Sequence, residues 1–295
     1  MQDIDEILKR FDLDFTISKL PLTATNELGE QIITPYFGLV NTKTNKILNS
    51  VKAGYSVSQN RDVVEMVLKG IKPYGNKLSI SKAGSIDEGR KVFIQLKLEG
   101  EVKLGDDVIT QYITIIDSND GSTGLSIGIG DEISHCLNQF FRFYKEGNTK
   151  FRHTATIDAK IASIPNLIQK ALDENLKQID VYKRFMNIPI NNTDHLLVME
   201  VLGYDRYFTP TKEINALSQR SLKLMDGLYS AIETETQILG RNYWGLFNGL
   251  TRFTTHMTKI NSTKENGKIE SMILGRDYTK AMDGYELLTT KLGLK

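Results

Sequence analysis

The chain has 295 residues, 40% of them apolar and 25% charged, with a formal net charge of +1. That composition fits a folded chain with a substantial core and excludes both a disordered polypeptide and a histone-like nucleic-acid binder. A local basic groove stays open, because binding responds to clustered charge rather than to the total.

The single cysteine, Cys136, rules out an intramolecular disulfide and a cysteine-built zinc site within one chain. It suits a reducing compartment. The N-terminal MQDIDEILKRFDLDF is acidic and amphipathic rather than basic and then apolar, unlike a signal peptide. No run approaches the roughly 18 uninterrupted apolar residues of a membrane span. The expectation is a soluble cytoplasmic protein.

Residues 3–11 read as a short helix, with Ile4, Ile7 and Leu8 on one side. Residues 15–25 alternate like a strand, and Pro21 marks an edge or a bulge. Residues 35–41 and 46–54 form the arms of a hairpin around the polar turn Thr42-Lys43-Thr44-Asn45. An extended piece then hands over to a helix N-capped by Asn60, with Val63, Val64, Val67 and Leu68 as its apolar stripe, ended by Gly70 and Pro73.

Strand-like runs follow at 77–82, 91–99, 108–116 and 124–129. In the last, Leu125, Ile127 and Ile129 alternate with Ser126, Gly128 and Gly130. Small residues along one face imply either close approach of another backbone or ligand, or a thin strand beneath a helix, the commoner arrangement. From residue 134 the pattern turns helical: a short aromatic helix over 134–145, then a long one over 156–185 that Pro165 should kink or split. Further helices are expected at 194–203, 210–231, 234–258 and 278–292, with a polar loop over 259–268. Strands first and helices afterwards define an α+β chain. The expected architecture is a curved antiparallel sheet with packed helices over 1–190, followed by a mainly helical region over 191–295.

Three constellations bear on chemistry. Phe140, Phe141, Arg142, Phe143, Tyr144, Lys145, Lys150, Phe151, Arg152 and His153 interleave aromatic and basic side chains, the composition of a single-strand-binding groove, in which bases stack and phosphates pair with cations. The alternative is an amphipathic helix with core phenylalanines and solvated cations. Arg90 and Lys91, with Lys77 and Lys82, form a second basic cluster that reads either as a facing wall of that groove or as scattered surface charge. The turn from Asp117 to Ser122 offers two carboxylates, Asp117 and Asp120. They suggest a magnesium site, but Gly121 falls at the wrong place for a calcium loop, and an Asn-Asp-Gly hairpin turn is the plainer reading. His135 and Cys136 are adjacent and so point apart on a helix, a poor nucleophile–base pair; a buried free thiol is expected. Neither a nucleotide-binding lysine loop nor a hydrolase elbow is present.

The runs Gly54-Tyr55 with Gln59-Asn60, AGSIDEGRKVFIQLKL, DSNDGSTGL, Cys136-Leu137-Asn138, FRHT at 151–154 and YWGLFNGLTRFTTH recur in that order in a known family. Over roughly residues 51–256 the chain resembles the "phage/plasmid-like protein" family, a domain of unknown function (number 932). It departs at the acidic turn, where Asn and His are expected in place of Asp117 and Asn119. The resemblance implies work on mobile DNA. The order of strands and helices is also similar to that of Rad-type single-strand annealing proteins, which build oligomeric basic grooves, an analogy of architecture alone.

The expected function is therefore single-stranded DNA binding, with strand annealing by a homo-oligomer and no nucleotide cofactor. Lys82, Arg90, Lys91, Arg142, Lys145, Lys150 and Arg152 would contact phosphates, and Phe143 and Tyr144 would stack on bases. The alternatives are a magnesium-dependent enzyme using Asp117 and Asp120, and a protein that binds or inhibits a host or phage protein.

Overall fold

The structure, a computed structural model, describes residues 3–105, 107–133, 136–143, 150–191, 219–259 and 266–293, with the side chains of Lys150, Phe151, Arg220 and Ser221 outside that set. The helix expected at 194–203, the start of the one at 210–231, and Tyr144, Lys145, His135 and His195 lie outside the described residues.

After helix α1 (Ile4–Arg10), strands β1 (Ile17–Thr25), β2 (Gln31–Asn41) and β3 (Lys46–Lys52) form a three-stranded antiparallel sheet in sequence order. The register slips between Pro21 and Thr23, where proline cannot donate to the ladder. Helix α2 (Asn60–Ile71) follows, then a 3-10 turn (Lys72–Lys77) and strands β4 (Leu78–Ile86), β5 (Lys91–Leu98), β6 (Val102–Leu104), β7 (Asp107–Ser118), β8 (Leu125–Ile133), β9 (Gln139–Phe143) and β10 (Lys150–Phe151). These strands make a seven-stranded antiparallel sheet with path β10-β8-β7-β5-β4, β6 beside β7 and β9 beside β8.

Paired residues share a face of the sheet. The front face carries Val92, Ile94, Leu96, Ile113, Ile115, Leu125, Ile127 and Ile129, which pack with Val63, Val64 and Val67 of α2 and with helices α3 (Ile157–Ala162) and α4 (Ile164–Met186). Pro165 sits in the first turn of α4, where its missing N–H is harmless, and the expected long helix is split there.

The C-terminal part is mainly helical: α5 (Gln219–Leu239), α6 (Tyr243–Arg252) with a π-type last turn (Phe253–Met257), α7 (Gly267–Ile273) and α8 (Arg276–Lys291). Trp244, Phe247, Leu250 and Tyr285 of these helices share one core with Ile109, Ile133, Phe140 and the α4 residues Tyr182 and Phe185. Buried Trp244 is also tied by its indole N–H to Asp107 Oδ2 at 2.8 Å. The α+β class is thus present as expected, in two antiparallel sheets.

Four local expectations are corrected. Residues 139–143 form strand β9, not a helix. Phe140 is buried in the core with Phe247 and Tyr285, while Phe141 is buried on the opposite face with Ile116 and Met272, so both faces are covered and the period-two signal is lost. The break in the helices falls at Gly240 (φ +94°) and Asn242, not at 231–234; Asn242 caps α6 by accepting from the Gly245 N–H at 3.0 Å. Asn60 is the first helical residue rather than a cap, and its amide donates to the Leu13 and Phe15 carbonyls instead. Finally, α7 begins at Gly267, within the expected loop.

The small-residue face of β8 is explained by β9. Gly128 pairs with Phe143 and Gly130 with Phe141, so aromatic rings from the next strand cover the glycines. A Cβ on Gly128 would lie 2.5 Å from the Arg142 carbonyl oxygen, whereas one on Gly130 would meet the Phe141 ring at 2.8 Å. A ring can swing away; a ladder carbonyl cannot without unpairing β9. Gly128→Ala should therefore destabilise by about 2 kcal/mol or more and Gly130→Ala by less. Equal losses in urea titrations would contradict this account of the strand.

Candidate functional site: a buried Ser–Asp–His latch and the basic face behind it

Family-like runs far apart in sequence meet at the end of β7. Asp117 is the penultimate residue of β7 and is 2% exposed. Its Oδ1 accepts from His153 Nε2 at 2.7 Å and from the Ser118 N–H at 2.9 Å, and its Oδ2 accepts from the Ser58 hydroxyl. His153 Nδ1 faces the Ser56 carbonyl at 3.2 Å, and the Ser56 N–H donates to the His153 carbonyl at the same distance. A carbonyl only accepts, so Nδ1 carries a proton; Nε2 and Asp117 then share another. Tyr55 stacks on the imidazole at 5.0 Å, its ring nearly parallel, and donates its hydroxyl to the Ser118 carbonyl. Burial pushes the Tyr55 phenol well above its ordinary value, with Asp117 and Asp120 adding to it.

Beside this pair, Asn119 braces the β4–β5 turn. Asp87, Glu88 and Gly89 all have left-handed φ. The Gly89 carbonyl accepts from Asn119 Nδ2 at 3.0 Å, the Arg90 carbonyl from the Asn119 N–H at 2.7 Å, and the Glu88 carbonyl from Asn41 Nδ2 at 3.1 Å. Asn119 also reaches Asn60 Oδ1 at 3.3 Å. Gln59 clamps Ile17 in both directions at 3.0 Å.

Serine, histidine and aspartate are the residue types of a hydrolytic triad, but here the aspartate lies between the other two. The imidazole nitrogen nearer Ser58 is 3.5 Å from its hydroxyl and is spent on a carbonyl, and all three residues are buried. No substrate reaches such a serine. The arrangement is a latch. With Asp117 so engaged, the acidic turn keeps only Asp120, whose Oδ1 accepts from the Ser122 N–H at 2.9 Å in an Asx turn. Among the described residues, no group of three or more His, Cys, Asp or Glu side chains is arranged to hold a metal ion. Sequence reasoning grouped His153 with the aromatic-basic run and passed over Ser58; the signal was that both sit in or beside the recurring runs.

The basic residues separate by face. Lys82, Gln95, Thr114, Gly128 and Phe143 form one cross-strand row on the rear face. Lys97 is on the same face, paired with Tyr112, and Lys91 lies at the far end. Lys82 is half-exposed, 3.9 Å from Glu132 and over the Tyr112 ring at 5.9 Å. Burial pushes the Tyr112 phenol up to about 12, reinforced by Glu132. Lys91 is tied to Glu270 of α7 at 2.7 Å, and Phe143 packs edge-on to Tyr278. Arg142 lies on the front face, 3.7 Å from Glu174 and over the Tyr285 ring. Arg90 pairs with Asp87 at 3.4 Å, and Arg152 is exposed after β10. Lys150 is opposite Ser126, its side chain outside the described residues. The two expected basic clusters therefore do not meet as one set: Lys82, Lys91 and Phe143 share a face, and Arg142 is on the other.

The remaining runs meet in a second cluster. Asn138 Nδ2 donates to Glu235 Oε1 at 3.1 Å, and Arg252 donates to the same oxygen at 3.0 Å. The His256 ring is 3.1 Å from the Cys136 carbonyl. Burial pushes the half-buried Cys136 thiol up to about 12, in keeping with an inert thiol.

These features define an α+β protein whose antiparallel sheet is pinned by two buried polar clusters. The chain belongs to the family described as Domain of unknown function (DUF932), whose model matches residues 47–273 and takes in both clusters. No curated protein and no solved structure matches it.

Two outcomes follow. Ser58→Ala removes a donor from a buried carboxylate and should cost about 1–3 kcal/mol in chemical denaturation; a cost near zero would mean that Ser58 is not part of the latch. Asp131, on the front face beside Gln111, is pushed up to about 6 by burial, partly opposed by the Tyr182 hydroxyl and Arg142. Because this is above its unfolded value of about 3.9, its stabilising contribution is full below pH ~4 and lost as the pH rises through about 6. Asp131→Asn should therefore gain up to ~3 kcal/mol at pH 7.5 relative to its effect at pH 4. An unchanged difference across that range would contradict the assignment.

Proposed function

We propose that this protein binds single-stranded DNA along the rear face of the seven-stranded sheet, in the DNA metabolism of a phage or plasmid. The observation that carries the reading is the row Lys82–Gln95–Thr114–Gly128–Phe143. It places the exposed Lys82 at one end and the half-buried Phe143 ring at the other, while Gln95 and Thr114 between them are buried, so the strand would follow the exposed cations at the margin of the row rather than its middle. The Thr114 hydroxyl is buried without a partner. Across the five strands this row spans roughly 19 Å, the length of a few extended nucleotides. Lys82 and Lys97 would pair with phosphates, and Arg90 and Arg152 would extend the path at the sheet end. Arg142 and Lys91, held by Glu174 and Glu270, take no direct part. No step of this reading consumes a nucleotide cofactor, and annealing of complementary strands is its natural extension in an assembly of several copies.

Fluorescence anisotropy with a labelled oligothymidine at 50 and 200 mM salt tests this. With about three phosphate contacts, the affinity should fall roughly tenfold or more between those concentrations, because binding releases counterions. Lys82→Glu with Lys97→Glu should weaken binding at least tenfold while the far-ultraviolet circular dichroism stays unchanged. Failure to bind at 50 mM salt, or binding indifferent to salt and to both substitutions, would end the proposal.

A further inference from the structure

The rear face stays open beside the buried middle of the Lys82 row. There the cross-strand row Thr110–Glu132–Gln139 is part-exposed throughout. Glu132 lies on the same face as Lys82 and Lys97, and a carboxylate on a path for phosphates repels them. It is nonetheless held in place. Its Oε2 accepts from Gln139 Nε2, and its Oε1 from the Tyr112 hydroxyl at 3.4 Å. Lys82 reaches over the Tyr112 ring toward it, its Nζ 3.9 Å from Oε2. Two neutral donors thus position the carboxylate, and the lysine covers it loosely.

Each carboxylate oxygen has two lone pairs. Gln139 and Tyr112 take one on each oxygen of Glu132, which leaves one on each, side by side. That acceptor pair fits a two-pronged donor, as a carboxylate fits the fork of an arginine. Single-stranded bases present their pairing edges to proteins. On that edge guanine carries two adjacent donors, N1–H and the N2 amino group. Cytosine and adenine carry an amino group beside an acceptor nitrogen, and thymine one N–H between two carbonyls.

We propose that Glu132 reads guanine in the bound strand, accepting from N1–H and the N2 amino group while Lys82 leaves it for a phosphate. The inference rests on the single-stranded DNA reading and adds to it a base preference, which phosphate contacts alone do not supply. The exchange follows from how the two side chains are held. Lys82 is half-exposed on a flexible stem, whereas the Glu132 side chain is 17% exposed and tied at both oxygens. The cation moves and the carboxylate stays.

The test is fluorescence anisotropy of the full chain with three short labelled oligothymidines at about 50 mM salt, where phosphate contacts are strong. One is unbroken, one carries a single central guanine, and one carries inosine there, which keeps N1–H and lacks the amino group. The wild type should bind the guanine strand at least about fivefold tighter than the unbroken one, and inosine should lose most of that gain. Glu132→Gln keeps the shape but turns one acceptor into a donor. It should bind all three strands alike, and the unbroken one no more weakly than the wild type does, with unchanged circular dichroism. The base series on the wild type decides the matter by itself where the substituted protein folds poorly. Salt-dependent binding with equal affinity for the unbroken and guanine strands would overturn this inference and leave the DNA reading standing. A guanine preference that survives in a folded Glu132→Gln protein would overturn it too. Failure to bind any of the three strands would end both.

Discussion

The shared proton between Asp117 and His153 is the constraint on which the first half of the molecule depends. A carboxylate at the end of a central strand, 2% exposed, is tolerable only if its charge is matched and its lone pairs are filled. The chain meets that demand from three directions: Ser58 before α2, His153 after β10, and the Ser118 N–H of β7 itself. Each donor fixes the segment that supplies it. The segment leading into α2 is held against the sheet, the chain leaving β10 is turned toward α3, and Tyr55 closes over the imidazole. A buried ion pair of this kind adds little net stability over an apolar replacement, but removing one partner costs heavily, so it specifies one arrangement.

Glu235 plays the corresponding part in the second half. It is fully buried and receives Asn138 from the loop before β9 and Arg252 from α6. One polar cluster thus positions the chain around the strand ends, and the other ties the C-terminal helices to the sheet edge. Between them lies the aromatic core of Tyr182, Phe185, Trp244, Phe247 and Tyr285. On the rear face Phe93, Ile116 and Phe141 pack with Met272 and Ile273 of α7 and flank the buried middle of the Lys82 row, while Lys82 stays exposed at its end.

Much of the fold was legible in the sequence because strands with large apolar side chains on one face and mostly small or polar ones on the other keep their period even where both faces are buried. The arms of the hairpins, the alternation in β5 and β8, and the split at Pro165 could all be read directly. Strand β9 could not, since burial of Phe140 and Phe141 on opposite faces leaves a continuous apolar run that also suits a helix. The break at Gly240 was legible and passed over: a glycine followed by an Asn cap is the ordinary stop and start of two helices. The latch was invisible to local reading, because Ser58, Asp117 and His153 are 59 and 36 residues apart in turn. Only the recurrence of the runs containing or flanking them marked the place. The face on which Arg142 lies was equally illegible, since it depends on pairing with Ile129.

The central claim is that Asp117 and His153 act as one unit that holds these segments together. A double-mutant cycle tests it directly, with Asp117→Asn, His153→Gln and the pair measured by urea denaturation at neutral pH. Each single change should cost about 3 kcal/mol or more, because it strands the buried partner, and the double should cost clearly less than the sum, with a coupling of about 2 kcal/mol. Additive losses, or a His153→Gln protein as stable as the parent, would contradict the account.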